Sequence, residues 1–190
     1  MKAKELIKFT EEIAKLYEDG KIKAPIHLGG WNEERLIKIF KKIKKEDWVL
    51  GTWRNHYQYI LSGHCMKELK NQIMEGHSMH VFGHKFFSSA IVGGIAPIAV
   101  GLAWSLKRKG SKNKVWCFLG DMGASTGIAM ESINYAKGHD LPITFVIEDN
   151  GMSVRTCTKD AWGRGKKNKT ITYKYKRRYP HAGSGKFVLF

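Results

Sequence analysis

The sequence has few cysteines and no long apolar run. Its three cysteines, Cys65, Cys117 and Cys157, have neither CxxC spacing nor an even count, so neither a disulfide framework nor a zinc site is indicated. No apolar stretch approaches the ~20 residues that span a bilayer. Residues 1–20 carry charges throughout and lack the apolar block of a signal peptide. We therefore expect a soluble, cytoplasmic protein without a membrane partner.

Acidic residues are also scarce: 17 Asp and Glu stand against 33 Lys and Arg, a net charge of +16. The excess is uneven, because residues 155–186 contain eleven Lys or Arg and a single acid, Asp160. This basic tail, residues 155–190, also contains the aromatic residues Trp162, Tyr173, Tyr175, Tyr179 and Phe190. Aromatic and basic residues together can bind single-stranded nucleic acid. A solvated surface, or one facing a partner or an anionic cofactor, is the interpretation we favour, and its apolar end FVLF predicts an added strand or a docked end.

The stretch from Val115 to Val154 carries the clearest structural signals of the chain, two strand patterns with a helix between them. VWCFL and LPITFVIE are short apolar runs typical of buried parallel strands. A segment of helical length lies between them and closes at Lys137-Gly138, with Pro142 just beyond. At 190 residues, one domain spanning residues 1–190 is the default. These patterns predict an α/β fold, a parallel sheet with helices on both faces.

Polar residues follow each of these two strands. Asp121 and Asn150 are 29 positions apart, but adjacent parallel strands would bring both side chains to the same edge of the sheet. Mg²⁺ prefers such oxygen ligands and often takes others from a bound phosphate. A magnesium-held diphosphate is therefore expected at this edge. The alternative is an ordinary strand-helix-strand unit in which Asp and Asn only cap turns.

The motif formed by these residues resembles that of a known family. Gly120-Asp121-Met122-Gly123 and Glu148-Asp149-Asn150 have the spacing of the cofactor motif in alpha subunits of thiamine-diphosphate-dependent 2-oxo acid dehydrogenases. The resemblance implies a thiamine-diphosphate-binding fold, with Met122 and Gly123 beside the cofactor and Asp121, Asn150 and Met152 holding Mg²⁺. Met122 replaces a glycine that lets the backbone approach the diphosphate.

The resemblance extends towards the N-terminus. Asn32 can cap a helix there, and the order His27-Leu28 followed by Trp53-Arg54-Asn55-His56 matches the family. It implies that Arg54 grips the diphosphate bidentately, beside Trp53, and that His27 is a candidate catalytic residue. The alternatives are a surface arginine packed on Trp53 and hydrogen-bonded core histidines at positions 27 and 56.

Two further segments match the family. Ser78-Met79-His80 reproduces three of four family residues and implies that His80 lies near the reaction centre. Residues 90–94, AIVGG, match a loop whose backbone contacts the aminopyrimidine ring, here at Ala90 and Val92. A glycine loop leading into a core helix is the plain alternative for the second segment.

The resemblance implies a function shared with other chains. We expect decarboxylation of a 2-oxo acid and acyl transfer, together with a beta subunit that carries the activating glutamate. An α2β2 tetramer and a lipoyl acyltransferase are the implied assembly and partner. None of Glu33, Glu131 and Glu148 matches that activating glutamate. The alternatives are the diphosphate-binding half of a split transketolase-like enzyme, a scaffold without catalysis, and a nucleic-acid-binding protein.

Overall fold

The computed structural model describes residues 1–153, 156–162 and 171–189, and its centre is a six-stranded sheet. The sheet order is β2-β3-β1-β4-β5-β8, and a separate pair joins β6 to β7. The strands are β1 Trp48–Gly51, β2 Phe82–Gly83, β3 Phe86–Ser88, β4 Val115–Gly120, β5 Ile143–Asp149, β6 Met152–Ser153, β7 Thr156–Cys157 and β8 Ile171–Lys174. The helices are α1 Ala3–Glu18, α2 Glu33–Phe40, α3 His56–Leu61, α4 Met66–Met74, α5 Ile95–Arg108, α6 Asp121–Ala124, α7 Gly127–Gly138 and α8 Thr158–Trp162.

Both faces of the sheet are covered, as the alternation along β4 requires. Trp116 and Phe118 pack into one core with residues of α1 to α4, whereas Val115, Cys117 and Leu119 pack into a second core with α5 and α7. Successive residues of a strand point to opposite faces, so a strand that is apolar throughout must be covered twice. The predicted α/β class with helices on both faces is confirmed.

The strand-helix-strand unit predicted from residues 115–154 forms β4, α7 and β5. Strands β4 and β5 pair in parallel over six positions, from Val115↔Ile143 to Gly120↔Glu148. Helix α7 buries Ala129, Ile133 and Ala136 against the second core. Its neighbouring residues Ile128 and Met130 are each 46 % exposed, so part of the apolar character of α7 does not serve this core.

The sheet is mostly parallel and has one antiparallel pairing. Strand β2 pairs antiparallel to β3 at the edge, while the other four pairings are parallel. The two residues between β2 and β3, His84 and Lys85, suffice for a tight hairpin but not for a parallel crossover. Among the described residues, no helix is both long and apolar enough to cross a membrane.

The basic tail is docked on the body, as predicted, but by a different segment. Strand β8 pairs in parallel with β5, from Val146↔Ile171 to Asp149↔Lys174. In the described part of the FVLF end, residues 187–189, no strand forms: Phe187 and Leu189 are more than four-fifths exposed, and Val188 packs on the first core. Phe190, and the predicted tail residues at 155 and 163–170, lie outside the described residues.

Asn32 occupies the N-cap position of α2 but does not cap it with its side chain. Its amide Nδ2 instead donates to the Glu148 carboxylate at 3.1 Å and to the Tyr173 hydroxyl at 3.0 Å. A buried carboxylate needs donors more than a partly exposed helix end does, because that helix end can be hydrated. The prediction that Asn32 caps the helix was therefore wrong.

Candidate ligand cleft

A cleft of about 200 Å³ lies at the carboxyl ends of the five strands that run parallel. Residues that follow β1, β3, β4, β5 and β8 all line it, because parallel strands end at the same edge of a sheet. The lining residues are Thr52, Trp53, Arg54, Val92, Gly93, Gly120, Asp121, Met122, Gly123, Glu148, Asn150, Met152, Ser153, Tyr175 and His181.

Asp121 and Glu148 are the two carboxylates that line the cleft. Asp121 begins α6 directly after β4, and its Oδ2 is buried without a hydrogen bond from any described residue. Burial and the neighbouring Asp149 carboxylate raise the pKa of Asp121 to about 6. A cation bound to Asp121 would offset the repulsion between the Asp121 and Asp149 carboxylates, which contributes to the raised pKa of Asp121.

Asn150 takes part in a turn as well as lining the cleft. Its Oδ1 accepts the Met152 backbone N–H at 3.0 Å, and its Nδ2 donates to the Tyr175 hydroxyl at 3.5 Å. Asn150 therefore does cap a turn, as the alternative interpretation expected. Its Oδ1 keeps a second lone pair that could bind a metal ion. Within the described ranges, no three His, Cys, Asp or Glu side chains are grouped to hold a metal ion.

Arg54 supplies positive charge to the same cleft. One terminal nitrogen donates to the His181 carbonyl oxygen at 3.1 Å, while Nε is buried with no hydrogen-bond partner. Burial lowers the pKa of Arg54, although the Tyr175, Glu148 and Asp121 side chains oppose that effect. The Arg54 guanidinium therefore has a buried N–H donor, Nε, that is free to bind a ligand in the cleft. It is a half-buried cleft residue and not a surface arginine.

Glu148 lies at the end of β5 in a dense hydrogen-bond network. Its Oε1 accepts from Asn32 and, at 2.5 Å, from the Tyr173 hydroxyl, and its Oε2 accepts from Gln58 Nε2 at 2.7 Å. Burial raises the pKa of Glu148 to about 7, although these donors lower it. The network ties β5, α3, the start of α2 and strand β8 together below the cleft.

This network makes the stability of the fold depend on pH. The folded-state pKa of Glu148 lies above its usual value of 4.5, so the stabilising proton is lost as pH rises from about 4.5 through about 7. Between pH 4.5 and 7 the free energy of unfolding of the wild type should fall by about 3 kcal/mol through this group, and Glu148→Gln should remove that fall. Urea titrations at a series of pH values measure it. The exposed Glu131→Gln is the control, and a wild-type slope in Glu148→Gln would contradict the assignment.

Three aromatic rings meet at one side of the cleft. His27 is buried, and its ring lies 4.7 Å from the Trp53 ring and 4.7 Å from the His181 ring, centroid to centroid. Burial and the Arg54 charge lower the pKa of His27 to about 3, so the ring is neutral. His27 does not itself line the cleft, but both of its ring partners do.

The loop that follows β3 brings Val92 and Gly93 to the cleft. Gly93 has φ +75°, and a Cβ there would lie 2.6 Å from side-chain atoms of Ile128 and of Thr126. Only glycine combines this backbone with such a close approach to α7. The neighbouring Ala90, predicted to contact the cofactor, is half-exposed and is not among the lining residues.

The predicted histidines divide into three environments. His80 is exposed and lies outside the cleft lining, so its catalytic role stays a prediction. His56 is a buried core histidine: its Nε2 is 3.0 Å from Ser78 Oγ, and burial lowers its pKa to about 4. Of the other predicted site residues, the cleft brings together Trp53, Arg54, Val92, Asp121, Met122, Gly123, Asn150 and Met152.

The sequence patterns missed two cleft residues from the tail, Tyr175 and His181. Tyr175 is buried, and its backbone N–H donates to the Asp149 carbonyl oxygen at 2.9 Å, which extends the β5–β8 pairing to the cleft. No spacing rule joins these residues to Asp121. The one local signal is a histidine between Pro180 and Gly183, where turn residues hold a side chain in place.

Fold and cleft together define a class: an α/β protein with both sheet faces covered and a cleft where its parallel strands end, which is where such folds bind their ligands. Residues 1–173 match the family model described as dehydrogenase E1 component. The chain therefore belongs to the dehydrogenase E1 component family. The recognition of a thiamine-diphosphate-dependent 2-oxo acid dehydrogenase alpha subunit is confirmed, and the family implies that cofactor.

Similar proteins from bacteria and a nematode agree with this membership. The pyruvate dehydrogenase E1 component subunit alpha of Rickettsia prowazekii is 34% identical over 163 residues, which cover 80% of this chain and 50% of the relative. That of Rickettsia typhi is 34% identical over 164 residues with the same coverage. The mitochondrial type II subunit of Ascaris suum is 30% identical over 151 residues, 74% of this chain and 39% of the relative. The chain spans about half the length of the bacterial relatives it matches, and less of the nematode one.

Proposed function

We propose that this chain binds thiamine diphosphate through Mg²⁺ and serves as the alpha-type half of a 2-oxo acid dehydrogenase. A separate beta-type subunit completes the site, in an α2β2 assembly that passes the acyl group to a lipoyl acyltransferase. The observation that carries the proposal is the convergence of Arg54, Asp121 and Asn150, from three distant segments, on one cleft.

The donor set of the cleft fits a diphosphate bound to a cation. Arg54 Nε and Asp121 Oδ2 are buried groups of opposite charge, each lacking a hydrogen-bond partner among the described residues. A phosphate oxygen would accept from the first and Mg²⁺ would bind the second. The backbone beside them is open, since a Cβ at Gly120 or Gly123 would have nothing within 4 Å.

The proposed duties of this chain are binding and positioning. Asp121 and the Asn150 amide oxygen hold Mg²⁺, and Met152 contributes its carbonyl oxygen, the only hard donor it has. Arg54 grips the diphosphate, Gly123 and Met122 lie under it, and Trp53 and Val92 form apolar walls. When bound, thiamine diphosphate supplies the carbanion chemistry of decarboxylation. His80 and His27 remain the proposed proton-handling residues.

Calorimetric titration with thiamine diphosphate tests this proposal, with and without Mg²⁺. We expect binding that requires the metal, because the diphosphate alone would face the Asp121 and Asp149 carboxylates. Thiamine without its diphosphate is the matched control ligand and should not bind. Equal affinity with and without Mg²⁺ would contradict the assignment of Asp121 and Asn150 as metal ligands.

Met122 offers a second test, since it lines the cleft where the family has glycine. We expect Met122→Gly to tighten thiamine diphosphate binding by up to about 10-fold, because the backbone could then approach the diphosphate more closely. The control is Met130→Gly on α7, an exposed methionine outside the cleft that shares the loss of helix propensity. An unchanged dissociation constant would mean that Met122 already clears the diphosphate.

The conformation of the tail disfavours the nucleic-acid alternative. Tyr175 is buried, and the Tyr173 hydroxyl donates to Glu148, so neither ring is free as a platform on which a base could stack. Tyr179 is half-buried against the first core. The described part of the tail therefore serves the protein body and the cleft.

A further inference from the structure

We propose that the chain binds the phosphate backbone of duplex nucleic acid, without sequence selectivity, through a lysine-rich surface at the amino ends of β1 and β4. This surface, here called the amino-edge patch, consists of residues 38–47 and 107–114. It lies at the opposite edge of the sheet from the cleft, because parallel strands begin at one edge and end at the other. The patch is therefore independent of the proposed function of the cleft.

The positive charge of the chain is concentrated in this patch and in the tail. The patch contains ten Lys or Arg and two acids, Glu46 and Asp47. Outside the patch and the tail the chain is slightly acidic, with 14 Asp or Glu against 12 Lys or Arg. Apart from the tail, whose described part packs on the body and the cleft, the basic excess thus belongs to one edge of the sheet.

Asp47 joins the two segments of the patch. Its carboxylate is buried and accepts the backbone N–H of Lys44 at 3.0 Å, that of Lys114 at 2.8 Å and the indole N–H of Trp116 at 3.1 Å. The Trp48 N–H also donates to the Lys114 carbonyl oxygen at 2.8 Å. Two basic segments far apart in the chain are therefore held side by side before any ligand binds, which lowers the ordering cost of binding.

Four lysines of the patch are left free for an external anion. They lie in the loops beyond α2 and α5, are exposed, and form no ion pair with any described residue: Lys44, Lys45, Lys112 and Lys114. A helix dipole favours cations only within the last turn, which accounts for Lys38, Lys107 and Arg108 instead. Glu46, the exposed acid of the patch, pairs with Lys85 from outside it.

The composition of the patch favours the phosphates of a duplex over other anions. Nine of its ten cations are lysines, and none of its large apolar residues is exposed. Stable protein interfaces use aromatic, Met and Arg anchors, and stable membrane attachment adds an apolar or acyl anchor to the basic residues. Single strands are bound on aromatic rings that stack with the bases. Duplex binding needs none of these, because phosphate contacts supply essentially all of its non-specific affinity.

Fluorescence anisotropy of the full chain with a labelled DNA duplex of about 20 base pairs, over about 50 to 200 mM salt, tests the proposal. The patch variant combines Lys44→Gln, Lys45→Gln, Lys112→Gln and Lys114→Gln. A matched control removes the same charge from four exposed lysines elsewhere, by Lys8→Gln, Lys15→Gln, Lys23→Gln and Lys67→Gln. We expect wild type to bind with a dissociation constant of about 10⁻⁴–10⁻⁶ M at physiological salt. The patch variant should bind at least about 10-fold more weakly with a salt slope flatter by about 3 to 4, and the control should keep the wild-type slope.

Equal losses in the two variants would assign the binding to net charge or to the tail and overturn the proposal, as would a wild type that does not bind at about 50 mM salt. Displacement of the duplex by thiamine diphosphate with Mg²⁺ would place it in the cleft and refute the patch. Failure of thiamine diphosphate to bind at all would sink the proposed function and leave this test unchanged.

Two further probes distinguish the duplex from other anionic partners. Vesicles containing phosphatidylserine and a labelled polyglutamate peptide should each bind more weakly than the duplex. Tighter binding of either, lost in the patch variant, would replace nucleic acid by a membrane or an acidic protein and overturn the proposal. We expect both variants to keep the wild-type melting temperature. If the patch variant unfolds, Lys44→Gln combined with Lys112→Gln should flatten the slope by about 2, and no change in that variant would refute the patch.

Discussion

Asp121→Ala should abolish Mg²⁺-dependent binding of thiamine diphosphate, raising the dissociation constant by more than about 100-fold, or about 2.7 kcal/mol. Asp121 offers a buried carboxylate oxygen that no described residue satisfies, and a hard dication needs such an oxygen. Asn150 contributes only a neutral amide oxygen, which already accepts the Met152 N–H. Without Asp121 the ion would lose its strongest ligand, and the diphosphate would lose the charge that holds it.

The same variant should leave the fold intact, which separates binding from folding. Burial and Asp149 raise the pKa of Asp121 to about 6, so its stabilising proton is lost as pH rises from 3.8 through about 6. At pH 7.5 the ionised group opposes folding, and Asp121→Ala should not lower the melting temperature. The control for binding is Glu131→Ala on the exposed side of α7. A dissociation constant like that of wild type in Asp121→Ala would show that Asp121 does not hold the ion.

The purified chain alone should show no decarboxylation of 2-oxo acids, and turnover should appear only on mixing with a beta-type subunit. In the proposed reaction a carboxylate must face the aminopyrimidine ring nitrogen, and it must be positioned before its pKa matters. Glu148 lines the cleft but already accepts from Asn32, Tyr173 and Gln58. Glu33 accepts from the Tyr57 hydroxyl and the Trp31 N–H, and Glu131 is exposed on α7.

The surface beside the cleft also favours a partner. Ile91, Val92 and Ile128 are 70 %, 53 % and 46 % exposed, and Ile128 adjoins the Gly93 turn that lines the cleft. Exposed aliphatic groups next to a ligand site are typical of a surface that another chain covers. We therefore expect a beta-type subunit to bury them while adding its glutamate.

Steady-state decarboxylation measured on each chain and on the mixture tests this division of labour. The mixture with Asp121→Ala, and the mixture with a beta-type subunit whose activating glutamate is changed to glutamine, should both be inactive. Together they show that each chain supplies an essential part. Robust turnover by the purified chain, with light scattering confirming a monomer, would refute the division.

The sequence by itself determined the part of the molecule in which the signals are local. Apolar runs end at Gly120-Asp121 and at Asp149-Asn150, and the helix between them closes at a Lys-Gly pair, so β4, α7 and β5 could be placed from residue patterns. Because parallel strands end at one edge, the same patterns placed Asp121 and Asn150 together, and family spacing added Arg54 and Trp53.

Tertiary structure decided the interactions between residues far apart in the chain. Asn32 has the residue type of a helix cap, but its side chain donates instead to the buried Glu148 carboxylate, 116 positions further along the chain. The raised pKa of Glu148 likewise arises from burial, which no residue pattern encodes. His181 reaches His27 across 154 positions because β8 pairs with β5 and brings the residues that follow β8 to the cleft. Pairing of this kind depends on the unpaired edge of β5, and a strand's own sequence does not state which edge it will join.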